Sequence, residues 1–269
     1  MAVNAWPNTW SGSFSNTGTT SGSYVLHATI VNPQAEGRTI SVPVNGLLAN
    51  DTDVDGNPLI LTGVSGVGVS YSAAQNAVLV TPGVSQFNYA ISDQNGGTAI
   101  GIVNVVQQIG QVNASNASEL LAGSEQGDLL NAFDGNDILF GNGGQDDLRG
   151  GVGNDTLIGG LGSDLLTGGL GVDRFDYNNI NEGNDTITDF TRGAGGDVLD
   201  IRDLLSGYNP GVSNVNSFVQ LAASGAHTQV NINADGVGVD FVPIAVLNNV
   251  ALTGTLLNDL FAQGNLYLG

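Results

Sequence analysis

Gly150-Gly151-Val152-Gly153-Asn154-Asp155-Thr156-Leu157-Ile158 decides how this chain folds, because its neighbours repeat it. Residues 123–176 divide into six consecutive frames: Gly123–Asn131, Ala132–Phe140, Gly141–Arg149, Gly150–Ile158, Gly159–Thr167 and Gly168–Asp176. The sixth position holds Asp128, Asp137, Asp146, Asp155, Asp164 and Asp173. The eighth holds Leu130, Leu139, Leu148, Leu157, Leu166 and Phe175. The last three frames follow Gly-Gly-x-Gly-x-Asp-x-hydrophobic-x throughout. The first three are looser, with Ser124, Phe133 and Asn142 at the second position and Gln126 at the fourth. A Gly/Asp-rich linker has no reason to keep an apolar residue in phase in every frame. A parallel β-roll does, since each repeat stacks on the next.

Each position has a physical reason. Two frames make one coil of two tight turns and two short strands. Glycine permits the left-handed or crowded turn geometry that a Cβ would block. The eighth side chain points inward, and each buried Leu contributes roughly 2 kcal/mol. Coils one strand spacing apart, about 4.8 Å, stack Asp128, Asp146 and Asp164 on one edge and Asp137, Asp155 and Asp173 on the other. Carboxylates that close repel by ~1 kcal/mol in water and several times that near a protein surface. A hard divalent cation between the turns reverses the sign. Carboxylates and turn carbonyls suit Ca²⁺, whereas Mg²⁺ demands stricter octahedral geometry and gives up water reluctantly. The expected donors are the six Asp with the carbonyls of Gly141, Gly143, Gly150, Gly151, Gly153, Gly159, Gly160, Gly162, Gly168, Gly169 and Gly171. Four pairs spaced i/i+18 predict about four ions, with others at the ends.

Composition agrees. The 269 residues carry 25 acidic groups against five basic ones, all Arg, for a formal charge of −20. Nucleic acid is excluded as a partner, since its affinity comes from cations on phosphate. With 41% hydrophobic residues the chain is not a disordered acidic tail, so counter-ions belong to the fold. There is no Cys, hence no disulfide or thiolate chemistry. No apolar run reaches the ~18–20 residues of a membrane span. The N-terminus lacks a basic region followed by a hydrophobic stretch. The chain is therefore cytosolic, or is exported on another signal, or has a different natural start.

Outside the repeats, residues 1–29 read as a flexible N-terminal arm carrying Trp6, Trp10 and Phe14. These even-spaced aromatics dock on their own sandwich, add a strand to or pack on a neighbouring subunit, or stack on carbohydrate. Strand-like runs follow at 24–30, 39–44, 59–64, 67–71, 77–81, 87–92 and 98–106, separated by turns such as Asp55-Gly56-Asn57-Pro58. They predict a β-sandwich over 30–110. Residues 110–117 read as a linker, 118–190 as the roll, and 191–269 as a small mixed cap. Gly183-Asn184-Asp185-Thr186-Ile187 echoes the repeat out of phase. In the tail, Val215–Ala223 reads as a short helix, 228–232 and 239–247 as strands. Leu256, Leu257, Leu260 and Phe261 fit one face of a last helix.

These motifs resemble a known family. Gly150–Leu157 is similar to the unit of RTX (repeats-in-toxin) proteins, which implies a parallel β-roll with Ca²⁺ in its turns. Asp185–Phe190 and Asp197–Ile201 resemble the usual end of such rolls, and make Asp185, Asp189, Asp197 and Asp200 secondary metal candidates. The tail from Ser217 to Gly269 resembles the C-terminal target region of type I secretion substrates, particularly large bacterial adhesins. That implies export through an ABC-transporter channel, unfolded in the low-calcium cytosol and folded outside. Leu47–Leu59 and Phe87–Gly97 resemble the bacterial cadherin-like/Ig-like domains of such adhesins. Asp51, Asp53 and Asp55, with Glu36 and Asp93, then converge on one cation or simply serve Asx-rich turns.

His27 and His227, the only histidines, read as strand residues. No His-Glu-x-x-His, Gly-x-Ser-x-Gly or phosphate-binding loop occurs. The seventh position reads Leu, Ile, Asp, Thr, Leu, Arg, which lacks the regular row an ice-binding face needs. The expectation is an all-β, non-enzymatic protein: Ig-like sandwich, β-roll, then cap. It is secreted to the cell surface, binds calcium, and serves adhesion or matrix formation. Its expected partners are the secretion machinery and either a surface polysaccharide or copies of itself. The alternatives are a self-assembling filament or S-layer subunit, and the secretion end of an RTX enzyme.

Overall fold

The computed structural model describes residues 13–14, 27–32, 39–48, 51–53, 57–81, 83–107, 112–113 and 118–269. The repeats wind into a roll of two parallel sheets. One sheet stacks Leu120–Ala122, Ile138–Gly144, Thr156–Gly162, Arg174–Asp176 and Val198–Asp200. The other stacks Val112–Asn113, Leu129–Asn131, Asp147–Val152, Leu165–Leu170 and Asp185–Ile187. Each frame pairs in register with the frame two ahead, as Leu139 with Leu157 and Leu148 with Leu166. The eighth-position side chains meet inside. Leu130, Leu139, Leu148, Leu157, Leu166 and Phe175 are fully buried.

Three features depart from the sequence reading. The roll begins earlier. Val112–Asn113 pairs with Leu130 and Asn131, and Leu120–Ala122 pairs with Ile138–Phe140, so the expected linker contains ladder strand. Leu121 takes the eighth position of a frame without glycine and lies in the core. The roll, expected to end at residue 190, also runs on into the expected cap at Val198–Asp200. Leu166 pairs with Ile187 and Phe175 with Leu199, so later coils carry insertions in their turns and keep the strand register. The out-of-phase echo at 183–187 is thus in phase in space. Finally, Val215–Ala223 is helical only over Val215–Phe218. Its remainder joins Val219–Ser224, which pairs antiparallel with His227–Ile232 across a turn at Gly225, where φ is +64°.

The sandwich and the roll are not separate bodies. His27–Asn32 pairs with Leu120 and Leu121, so Thr98–Gln107, Gln86–Ser92 and Ile60–Ser65 extend the roll's first sheet to ten strands. A three-stranded sheet, Ile40–Pro43, Ala77–Val80 and Val69–Ser72, lies over this long sheet. It covers the outer face of the first coils. Ile138, Phe140 and Ile158 point away from the roll's interior at seventh and ninth positions, yet are 4%, 2% and 6% exposed. They share one cluster with Val42, Leu47, Val78, Val80 and Val103. Gly46, in the helical turn Val44–Leu47, sits against the Phe140 ring, where a Cβ would collide.

The C-terminal segment closes both sheets. Val242–Leu247 pairs parallel with Asp185–Ile187 and carries an antiparallel hairpin. Leu266–Tyr267 adds to Val198–Asp200. Leu256 and Leu260 of the helix Leu256–Ala262 plug the open end, and Leu257 is partly buried against them. Phe261, expected on the same face, is exposed, one helical step of about 100° past Leu260 and so turned off the buried face. No described helix is long and apolar enough to cross a membrane.

Candidate metal centre

The sixth-position aspartates form two buried columns. On one edge stand Asp128, Asp146, Asp164 and Asp185; on the other, Asp137, Asp155, Asp173 and Asp197. All eight are at most 5% exposed. The columns are held by a repeated bond: beyond Asp128, Oδ1 of each Asp accepts from the backbone N–H of the acidic residue one coil below. The distances are 2.7 Å for Asp128 to Asp146, 2.8 Å for Asp137 to Asp155 and 3.0 Å for Asp164 to Asp185. Glu119 extends the second column, its N–H donating to Asp137 Oδ1 at 2.6 Å. The sequence reading missed Glu119. Counting nine residues back from Asp128 would have found it at the sixth position, with Leu121 at the eighth.

One carboxylate oxygen per rung is spoken for, and the other is not. Oδ2 of Asp137, Asp146, Asp155, Asp164 and Asp173 is buried without a hydrogen-bond partner, as is Oδ1 of Asp128. Burying such an acceptor unpaired is costly, and burying a charge more so. The pKa values respond. Burial pushes Asp137 and Asp146 up to about 8, Asp173 and Asp185 to about 7 and Asp155 to about 6. The next carboxylate in the column adds to the rise for all but Asp155, and the backbone N–H opposes it in every case. Asp164 and Asp197 are raised by burial as well.

The free oxygens point at space that only glycine leaves open. A Cβ on Gly141, Gly150, Gly159 or Gly168 would strike Oδ2 of the Asp five residues on. The same Cβ on Gly150 would lie 2.6 Å from the Gly168 carbonyl, and one on Gly123 would lie 2.6 Å from that of Gly141. At the second and fourth positions Gly151, Gly153, Gly160, Gly162, Gly169 and Gly171 have φ between +88° and +151°, and each faces a carbonyl of the turn below. Carboxylate and carbonyl oxygens therefore converge between successive turns. Among the described residues no three His, Asp or Glu side chains gather into a cage. The donor set is a carboxylate oxygen plus main-chain carbonyls, hard oxygen ligands suited to Ca²⁺.

Residues 113–148 and 140–175 match the family model of the RTX calcium-binding nonapeptide repeat. This is an RTX roll. Residues 16–106 match the bacterial Ig domain. A search of curated proteins found no match to the chain. RTX repeats bind Ca²⁺ and mark secreted proteins, so the chain is a secreted calcium-binding protein of the type I export kind, built on an Ig-like sheet and an RTX roll.

The other candidate residues have different surroundings. Asp189 accepts from Gly168 N–H at 3.0 Å and Gly169 N–H at 2.8 Å, so it caps the last turn. Asp197 has both oxygens engaged, by the N–H groups of Asp173 and Thr191. Asp200 is paired with Arg174 and Arg202, whose guanidinium groups also lie over the Tyr267 ring. Asp51 accepts from the Tyr89 hydroxyl at 3.0 Å, and burial raises it to about 7 despite that bond. Asp93 Oδ1 accepts from the N–H groups of Asn95 and Gly97, both at 2.8 Å, which is an Asx turn closing the hairpin. Its Oδ2 is buried without a partner. Asp53 lies in the strand Thr52–Asp53. Glu36, Asp55, Trp6 and Trp10 lie outside the described residues. Phe14 belongs to Ser13–Phe14, which pairs with Thr52–Asp53 of its own chain. His227 Nδ1 accepts from Asn249 N–H at 2.9 Å, a structural bond.

Proposed function

We propose that this chain is a non-enzymatic structural or adhesive element of the bacterial surface. Its RTX roll closes on Ca²⁺ only after export, and the bound ions are held between successive turns along each aspartate column. The observation that carries the reading is the row of buried carboxylate oxygens with no partner. They oppose closure in a low-calcium cytosol and favour it in millimolar calcium. The six direct rungs joining Asp128 to Asp185 and Asp137 to Asp197 extend the four ion positions read from the regular frames. A closed roll fused edge to edge with an Ig-like sheet is a stiff rod, which suits adhesion or matrix building.

Two measurements test this. Circular dichroism and sedimentation are followed from EDTA to millimolar Ca²⁺. The expected result is a cooperative gain of β-structure and a compact species; an unchanged spectrum and sedimentation coefficient would refute calcium-driven closure. Labelled protein is then added to the producing cells. Retention in Ca²⁺ that EDTA reverses supports the surface role, and free protein under both conditions argues against it.

A further inference from the structure

The three-stranded sheet and the roll touch through Gly46 and Phe140 but do not meet along their whole length. To one side of that contact they leave an open groove of about 620 Å³, within the size range of ligand sites. One wall is the sandwich, with Asn45, Gln75 and Asn76. The other is the turn edge carrying the Asp128–Asp185 column, with Glu125, Asn142 and Leu161. Asn178 and Asn179, brought in by the insertion ahead of Asp185, extend this wall, and Glu182 and Asp203 complete its acids.

One of these groups departs from what the roll itself requires. Asn142 stands where the repeat has its second glycine. It keeps the left-handed backbone at φ +73° and is tied down by its Nδ2 donating to the Gly123 carbonyl at 3.0 Å. Asn76, across the groove, is also left-handed at φ +48° and accepts from the Tyr71 hydroxyl at 3.0 Å. Asn enters the left-handed region at low cost, so both turns hold without glycine and each presents a carboxamide to the groove.

We infer that this groove binds a saccharide chain bearing neutral hydroxyls or amino groups, and that Ca²⁺ builds its lower wall. Among the described residues the lining holds no Lys or Arg, and Glu125, Glu182 and Asp203 give it an acidic character that disfavours an anion. Carboxamides both donate and accept, which matches a hydroxyl that does the same. Leu161, 55% exposed on the turn, offers an apolar platform for the C–H face of a ring. A basic peptide is the weaker fit. Glu182 is only 7% exposed, and its carboxylate already accepts from Asn178 N–H at 3.2 Å, so amides outnumber free carboxylates. This inference rests on the calcium-closed roll proposed above.

The test uses the full chain in millimolar Ca²⁺ on an array of neutral, amino-bearing and uronic-acid oligosaccharides, with octalysine alongside. The wild type is compared with the Asn142→Gly, Gln75→Ala double variant. Glycine at 142 restores the repeat, so the variant keeps a calcium-closed roll. Retention of neutral or amino-bearing oligosaccharides, weakened about tenfold or more in the variant, is the expected result. No saccharide retained, equal retention by the variant, or preference for uronic acids or octalysine each overturns it. Circular dichroism of the same samples separates the two readings. A calcium-folded roll without saccharide binding removes the groove alone, and a roll indifferent to Ca²⁺ removes the proposed function.

Discussion

At the scale of single residues, the roll depends on what glycine omits and what aspartate leaves unpaired. Gly150→Ala places a methyl between Asp155 Oδ2 and the Gly168 carbonyl. Overpacking of that kind costs about 1–3 kcal/mol. The expected outcome is a higher calcium midpoint for folding, read by circular dichroism, with little change in the metal-free state. The pH dependence follows from Asp137 and Asp146 near 8, Asp173 near 7 and Asp155 near 6, all raised from 3.8. Without metal, the folded chain holds more protons than the unfolded chain between pH 4 and these values. Stability from these groups is therefore fully present below about pH 4 and lost as pH rises through about 6 to 8. With calcium the trend reverses, because the ion displaces those protons. The calcium midpoint should fall as pH rises from about 6 to 8, with protons released on binding; calorimetry in buffers of different ionisation enthalpy measures the release.

At the scale of elements, one sheet serves two purposes. Its inner face packs the eighth-position stack, and its outer face, through Ile138, Phe140 and Ile158, completes the Ig-like core. Phe140→Ala should cost about 3–5 kcal/mol, as for a buried aromatic. The loss should appear in the sandwich as well as the roll, seen as faster amide exchange at Val78 and Val103. Exchange confined to the roll would show that the two cores are independent. The C-terminal closure is electrostatic as well as apolar, since Asp200 pairs with both Arg174 and Arg202 beneath Tyr267. Asp200→Asn should fray Leu266–Tyr267 first, visible as lost amide protection at Leu199 and Ile201, whose N–H groups donate to Asn265 and Tyr267.

At the scale of the whole molecule, calcium controls more than the repeats. The ten-stranded sheet runs from Leu266–Tyr267 to Ile60–Ser65 without a break. Removing Ca²⁺ with EDTA should therefore release the Ig-like strands together with the roll, in one thermal transition. Two well-separated transitions in scanning calorimetry, the sandwich unchanged by EDTA, would show that the shared sheet does not couple them.

The nine-residue period by itself determined the roll, its inward Leu stack and its acidic edges, because each position is a local demand of turn geometry, burial or charge. The same logic, carried past the regular frames, reaches Glu119, Asp185 and Asp197, but missing glycines and turn insertions hide the phase. Only the tertiary structure joined the sandwich to the roll. The pairing of His27–Asn32 with Leu120 and Leu121 is a contact between distant segments with no local signal. The outward Ile138, Phe140 and Ile158 look like ordinary strand residues until the sheet that covers them is in place. Burial on that outer face depends on which segment arrives there, and a repeat pattern records only the neighbours it stacks upon.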